Sequence, residues 1–404
     1  MMTKIYRNPL LWLLSLSHFC TDLYSGALSI VMVDVSRQLG LSVSQFAFTL
    51  TTFSLASSLS QPIFGYIGDK FGGKWFVAGG VFVIATFLAL MGFVNTWGMV
   101  VFCIVMAGLG SAAFHPQGAS GASMAGGAQK STAISIFMLG GNMGYAMGPL
   151  LASLIVPLAG RQSIGFVSIF GVLMAPLIYK LLTAQNVVAK PRVMSKGIAR
   201  NSAFSGFAIF ALLAIMALRA GAQSSINALT PKFFGDELGM GIGFAGTLAS
   251  VQLFALAVGG IAGGYMADRF GSRLIIFFSL IVCVPLTALF FLTHNSWVLL
   301  VGAIMGFFFG MSWPPLLALS QELFPKSAGL ASGLSLGFVF AMGGVGTSIT
   351  GFLSEPSNLG MQQALLLLSP WSLVAALFVL ALPGKDKIIA ASKSLTSPSV
   401  QKTA

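Results

Sequence analysis

Gly65-Tyr66-Ile67-Gly68-Asp69-Lys70-Phe71-Gly72-Gly73-Lys74 returns 199 positions later as Gly264-Tyr265-Met266-Ala267-Asp268-Arg269-Phe270-Gly271-Ser272-Arg273. Each copy ends one long apolar run and precedes another, so each reads as a short polar loop joining two membrane-crossing helices. Glycines in the loop let the helices approach and the chain turn sharply. Asp69 and Asp268, with Lys70, Lys74, Arg269 and Arg273, fall where water or an ion partner is available. One copy alone is a generic charged hairpin. Two copies at matching places make the chain a duplicated unit. Leu39-Gly40 and Leu238-Gly239, also 199 apart, each close the first helix of a half.

Working outward, the 404 residues are 56% apolar and only 7% charged, with a mean hydropathy of +0.92, too apolar for a water-soluble fold. Crossing ~30 Å of hydrocarbon takes about 20 apolar residues in a helix. Twelve such runs are present, at 9–33, 45–67, 75–94, 98–120, 131–157, 163–183, 203–230, 243–266, 274–293, 297–321, 328–353 and 362–382. They exceed a barrel strand of about ten residues, and backbone groups in lipid must be satisfied internally, so the spans are helices. The expected fold is an all-α membrane protein of two pseudo-symmetric six-helix bundles, residues 1–183 and 203–384. A basic linker, 184–202, joins them, and a Ser-, Thr- and Lys-rich tail, 385–404, is expected to be disordered.

The net charge of +12 raises the possibility of nucleic acid, but the basic residues follow the membrane. With the N-terminus inside, 17 of the 21 lysines and arginines lie on the cytoplasmic side; only Arg37, Arg161 and Lys232 lie outside, and Arg219 is within a span. Both termini are therefore expected in the cytoplasm. The first apolar run is too long for a signal peptide and reads as a retained span. Cys20, Cys103 and Cys283 fall inside spans with no paired spacing, so neither a disulfide framework nor a metal site is expected.

Several spans carry polar groups that lipid would penalise. The first has His18, Asp22 and Ser25 on one helical face. A carboxylate at that depth is costly to keep charged, which suits it to carry a proton; the plainer reading is an ion partner in helix packing. The seventh span has Arg219, Gln223 and Asn227 on one face. A guanidinium there can hold a carboxylate, phosphate or phosphonate by a bidentate fork, or neutralise Asp22 across the interface. In the fourth span His115 precedes Pro116, and in the tenth Trp313 precedes Pro314 and Pro315, paired interruptions that point to a central cavity. In the fifth, Gly140, Gly144 and Gly148 form a smooth ridge that ends at Pro149, with Asn142 beside it.

The pattern Gly-x-x-x-Asp-(Arg/Lys)-x-Gly-x-(Arg/Lys) resembles the loop between the second and third helices of the major facilitator superfamily, echoed between the eighth and ninth. Gly-x-x-x-Gly-Pro resembles the fifth-helix signature of its antiporters, although Leu150 and Leu151 stand where the fullest pattern continues toward glycine. Ser17-His18-Phe19, Asp22-Leu23, Gln61-Pro62-Ile63-Phe64-Gly65, Phe114-His115-Pro116 and Gly140-Gly141-Asn142-Met143-Gly144 resemble the fosmidomycin-resistance branch. That branch continues its His-Pro with an acidic residue and an arginine, where this chain has Gln117 and Ser120.

The resemblance implies a monomeric carrier in a bacterial-type inner membrane, exporting a small, anionic or drug-like compound in exchange for protons by alternating access. Asp22 and His18 would then couple protons, while Arg219, Gln223, Asn227, His115 and Asn142 would bind substrate. The two glycine-rich loops, Gly65, Asp69, Lys70, Gly72 and Lys74 with Gly264, Asp268, Arg269, Gly271 and Arg273, would gate. A proton-coupled importer of an organic anion is the alternative within this class. An enzyme or sensor is the alternative outside it, but no nucleophile motif, metal-ligand spacing or phosphate loop accompanies His115, Asp22 and Glu322. No cofactor is expected.

Overall fold

The computed structural model describes residues 7–71, 73–126, 130–184, 204–323, 328–388 and 390. Gly72, the linker from 185 to 203 and the tail beyond 390 lie outside the described residues, as does the side chain of Asp69. The helices are α1 (Pro9–Leu39), α2 (Val43–Phe71), α3 (Lys74–Met91), α4 (Trp97–Ala125), α5 (Lys130–Ala159) and α6 (Ile164–Ala184). The second half has α7 (Gly206–Lys232), α8 (Ile242–Phe270), α9 (Ser272–Leu292), α10 (Val298–Leu323), α11 (Ala328–Leu353), α12 (Met361–Leu366) and α13 (Leu368–Val379).

Eleven described segments are long and apolar enough to cross a membrane, with α12 and α13 forming one of them. Helix α2 is long enough to cross, at 29 residues, but Ser and Thr dilute its apolar content. The twelve expected spans are thus all helical. Leu158, Ile261 and Phe166 are 84%, 76% and 73% exposed on the outer surface, a placement that only lipid makes favourable.

Ends are set by local chemistry. The Asn8 side chain accepts from Leu10 N–H and Pro9 opens α1, while the Thr96 and Ser205 side chains cap α4 and α7. Gly271 closes α8 at φ +93°, and its N–H donates to Ala267 O at 2.8 Å; a side chain there would be strained.

The two halves use the same pairings: α1 packs on α5 as α7 packs on α11, α2 on α4 as α8 on α10, and α3 on α6 as α9 on α13. Where the bundles meet, α2 packs on α11 and α5 on α8, which are again equivalent pairs. Among the described residues, the hydrogen bonds between bundles lie in the half of the helices remote from the termini. Ser44 N–H donates to Glu355 Oε1 at 2.7 Å, Thr51 Oγ1 to Gly344 O at 2.7 Å, and Leu150 N–H to Ser250 Oγ at 2.9 Å. Arg37 pairs with Asp236 at that end, and Lys232 Nζ donates to Ser36 Oγ at 3.1 Å. Arg37 and Asp236 are themselves 199 apart, so they are equivalent positions meeting near the pseudo-two-fold axis.

The glycine ridge is a packing device with a consequence for the site. A Cβ on Gly140 would strike Ser15 O, and one on Gly144 would strike Phe19 O. One on Gly148 would meet Leu23 O and Ala27 N. Helix α5 therefore lies backbone to backbone on α1, along the face that bears His18.

Candidate functional site

Asp22 lies in the middle of α1, between two imidazoles. His18 Nε2 is 3.1 Å from Asp22 Oδ2, and His115 Nε2, from α4, is 3.2 Å from Asp22 Oδ1. A charged aspartate at the centre of a membrane helix costs about 2.5–3.5 kcal/mol, so two partners are what its position demands. Each ring is oriented from behind. His18 Nδ1 is 2.9 Å from Phe137 O, and His115 Nδ1 is 2.8 Å from Ser111 O; a carbonyl only accepts, so both Nδ1 atoms carry hydrogen.

Packing fixes the His18 plane. Its ring stacks on Phe137 with centroids 4.1 Å apart and meets the His115 ring edge-on at 5.1 Å. On another side it lies against Gly141, where a Cβ would enter the ring. His18 is buried, whereas the side chains of Asp22 and His115 keep 19% and 26% of their surface, so the carboxylate is reachable from the space between the bundles.

Tyr145 of α5 faces the same space, within electrostatic reach of Asp22 and the Asn227 side chain of α7. Gln223 Nε2 donates to Asn227 Oδ1 at 3.0 Å. Asn142 is exposed, one turn before Tyr145. Tyr145 thus links the acid of one bundle to the amides of the other.

Arg219 is elsewhere. Its Nε donates to Ser312 Oγ at 3.0 Å and its second terminal nitrogen to Phe309 O at 2.9 Å, both on α10, while the guanidinium sits 5.5 Å from the Trp313 ring centroid. It is buried, and among the described residues no carboxylate pairs with it. The alternative in which Arg219 neutralises Asp22 therefore fails: α7 turns it toward α10 of its own bundle, and the two histidines hold the acid. His115, expected among the substrate-binding residues, joins the Asp22 group. Helices α4 and α10 run on as helix through Pro116 and through Pro314 and Pro315, without the expected break.

The loops at the other end pack in parallel ways. The position of a Cβ on Gly65 lies 3.6 Å from Pro116 Cβ, and that on Gly264 lies 3.7 Å from Pro314 Cβ. Gln117 Nε2 donates to Gly65 O at 3.0 Å, Lys74 sits over the Tyr179 ring at 5.3 Å, and Lys70 lies 5.3 Å from the Phe71 centroid. In the second loop, Arg273 donates to Leu380 O at 2.6 Å, Lys385 Nζ donates to Asp268 O at 2.9 Å, and the side chains of Asp268 and Arg269 are exposed. Glu322 is near the end of α10; burial raises its pKa and Lys385 opposes that shift. The three cysteines are buried and free.

The chain is 28% identical over 352 residues to the fosmidomycin resistance protein of Escherichia coli (strain K12), covering 86% of each. It is 30% identical over 368 residues to an uncharacterized MFS-type transporter, YfnC, of Bacillus subtilis (strain 168), covering 88% of each. Among solved structures, a bacterial homolog of the human lysosomal transporter Spinster, in an inward-facing and unoccupied conformation, superposes with a TM-score of 0.75 at 16% identity, over 98% of this chain and 99% of that one. The Major Facilitator Superfamily model matches twice, over residues 14–218 and 211–401, and so spans both bundles. The chain belongs to the Major Facilitator Superfamily.

Proposed function

We propose that the chain is a proton-coupled secondary transporter that exports a small organic anion or drug-like compound across a bacterial inner membrane. The observation that carries this reading is Asp22, a carboxylate at mid-membrane depth, held by His18 and His115 and open to the space between the bundles. Apolar surroundings favour its neutral form and hydrogen bonds from the two imidazoles its charged form, so a change in the separation of α1 and α4 changes its hold on a proton. The drive is adequate: one charge crossing 100 mV gains about 2.3 kcal/mol.

The buried guanidinium of Arg219, which has no carboxylate partner among the described residues and is flanked by Trp313 and one helical turn from Gln223, is suited to an oxyanion on a planar or apolar body. With both termini in the cytoplasm, the contacts between bundles seal the outside, and the conformation is inward-facing. Breaking the Arg37–Asp236 contact as the bundles rock would open the outside, with the loops around Gly65–Lys74 and Gly264–Arg273 gating the cytoplasmic end. Export rests on the relative described as a fosmidomycin resistance protein and on the resemblance of the glycine ridge to that of antiporters.

The test is purified protein in liposomes loaded with a pH-sensitive dye, challenged with fosmidomycin, other phosphonates, carboxylates and lipophilic cations. Proton movement opposite to an anionic substrate supports the reading. Proton movement in the same direction as the substrate makes the protein an importer by symport, and no movement with any class removes the reading.

A further inference from the structure

Two of the three histidines in the chain meet at Asp22, and their arrangement restricts what can lie between them. Each Nδ1 donates its hydrogen to a backbone carbonyl, His18 to Phe137 O and His115 to Ser111 O. Were both rings neutral, each Nε2 would turn a lone pair toward a carboxylate oxygen 3.1 or 3.2 Å away, an opposition of three electron-rich atoms. The two contacts together require positive charge between the nitrogens and the oxygens, whichever atom carries each proton. Two protons supply it.

One divalent metal ion supplies it equally. An aspartate with two imidazoliums carries a net charge of +1, and so does an aspartate with two neutral imidazoles and a divalent ion. The exchange therefore adds no charge to the membrane interior. The carbonyls behind the rings also match, because metal-binding histidines commonly give their remaining N–H to a carbonyl, which fixes the tautomer and aims the other nitrogen.

The ligand atoms of His18, Asp22 and His115 all lie within 4.8 Å of one another. Bond lengths of about 2.0–2.2 Å for nitrogen and oxygen on zinc place tetrahedral ligands ~3.4 Å apart, a convergence within reach of small side-chain rotations. Asp22 and His115 are partly exposed, so an ion has a route in and a fourth position remains for water or a substrate atom. No spacing in the sequence announces this set, because His115 arrives from another helix 93 residues after Asp22.

We propose that His18, Asp22 and His115 form a binding site for a divalent transition-metal ion of the zinc class, which takes the place of the two protons. A bound ion ties α1 to α4 and holds Asp22 out of proton exchange, so zinc would inhibit transport. The site rests on the geometry of the three side chains and not on the coupling assigned to Asp22.

The experiment uses full-length protein in lipid nanodiscs, with Co2+ as the optical probe and Zn2+ as competitor. The expected result is one Co2+ per chain with the visible absorption of a nitrogen- and oxygen-ligated tetrahedral ion, displaced by Zn2+. His18→Gln, Asp22→Asn and His115→Gln should each weaken binding at least tenfold. His294→Gln, which alters the one remaining histidine, near Phe291 O and Gln362, should leave binding unchanged. Thermal unfolding of each variant checks its fold; if the buried His18 variant does not fold, the partly exposed His115 carries the test. No saturable Co2+ spectrum in the wild type, retention of binding in the Asp22 and His115 variants, or its loss in His294→Gln would overturn the proposal. The readout needs no transport, so the metal site and the proton-coupled reading can fail separately.

Discussion

Replacing Asp236 by Asn should release the end of the molecule remote from the termini. Asp236 has two cationic partners: Arg37 of the other bundle bonds its Oδ1, and Lys232 Nζ lies 3.3 Å from its Oδ2. Lys232 also reaches Ser36 across the interface, so the acid, the amine and the guanidinium form one latch. An exposed ion pair contributes about 0.2–1 kcal/mol. The Lys232 pair lies within one bundle and survives opening, so only the Arg37 pair counts; at that size, and with 1.4 kcal/mol a factor of ten, the variant should move the closed-to-open ratio by up to about 5-fold. Spin labels introduced at the exposed Gln162 and Ser357, on opposite bundles, report the separation by double electron–electron resonance, and the native cysteines are buried from the label. The longer-distance population should grow in Asp236→Asn, and adding Arg37→Ala should change it little further. An unchanged distance distribution, or full additivity of the two substitutions, would refute the latch.

Three further outcomes follow from the same contacts. Burial alone would raise the pKa of Glu355, but hydrogen bonds to its carboxylate from Ser44 and Ser42 and the charge of Lys232 hold it below its ordinary value of 4.5. Because that pKa is depressed, the Ser44–Glu355 contact contributes fully above 4.5 and is lost as pH falls through the lower value; the spin-label separation should grow only in strong acid, a growth that Glu355→Gln should abolish. Arg219→Lys keeps the charge but loses the planar fork to Ser312 and Phe309 O, so binding of an anionic substrate should weaken by roughly tenfold or more in a scintillation proximity assay; unchanged affinity would place the anion elsewhere. Gly141→Ala puts a methyl group into the His18 ring position, at a cost of about 1–3 kcal/mol if the helices give way. It should lower the unfolding temperature and slow proton-coupled transport together, and a variant with normal values of both would show that His18 is not clamped there.

The fold was legible because membrane helices are dictated by length and polarity alone, and because Gly65–Lys74 returns as Gly264–Arg273. The His18–Asp22 pair was legible for a similar reason, since four residues along a helix fix two side chains on one face. What the sequence did not show depends on how helices turn against one another. His115 reaches Asp22 only because α4 packs on α1, and Phe137 meets His18 only because Gly140, Gly141 and Gly144 let α5 lie against α1. Arg219 had two readings in the sequence, an anion site and a partner for Asp22, and only packing separates them: the register of α7 points it at α10, where a hydroxyl and a carbonyl receive it. Tyr145 gave little signal in advance, one tyrosine on a glycine-rich face, although its spacing of three from Asn142 put both on the same side of α5. The Arg37–Asp236 contact was half legible: the offset of 199 marks the two as equivalent positions, but that they lie beside the axis is set by helix packing.

The central claim is that Asp22 carries the coupling proton, and gradient-driven transport by Asp22→Asn protein in liposomes tests it most directly. Asparagine keeps the size, accepts from one imidazole through its oxygen and donates to the other as a neutral ring through its NH2, while removing the titrating group. Uphill transport driven by a pH gradient should disappear, while downhill exchange of the same substrate continues at a measurable rate. Uphill transport at the wild-type rate in this variant would contradict the account.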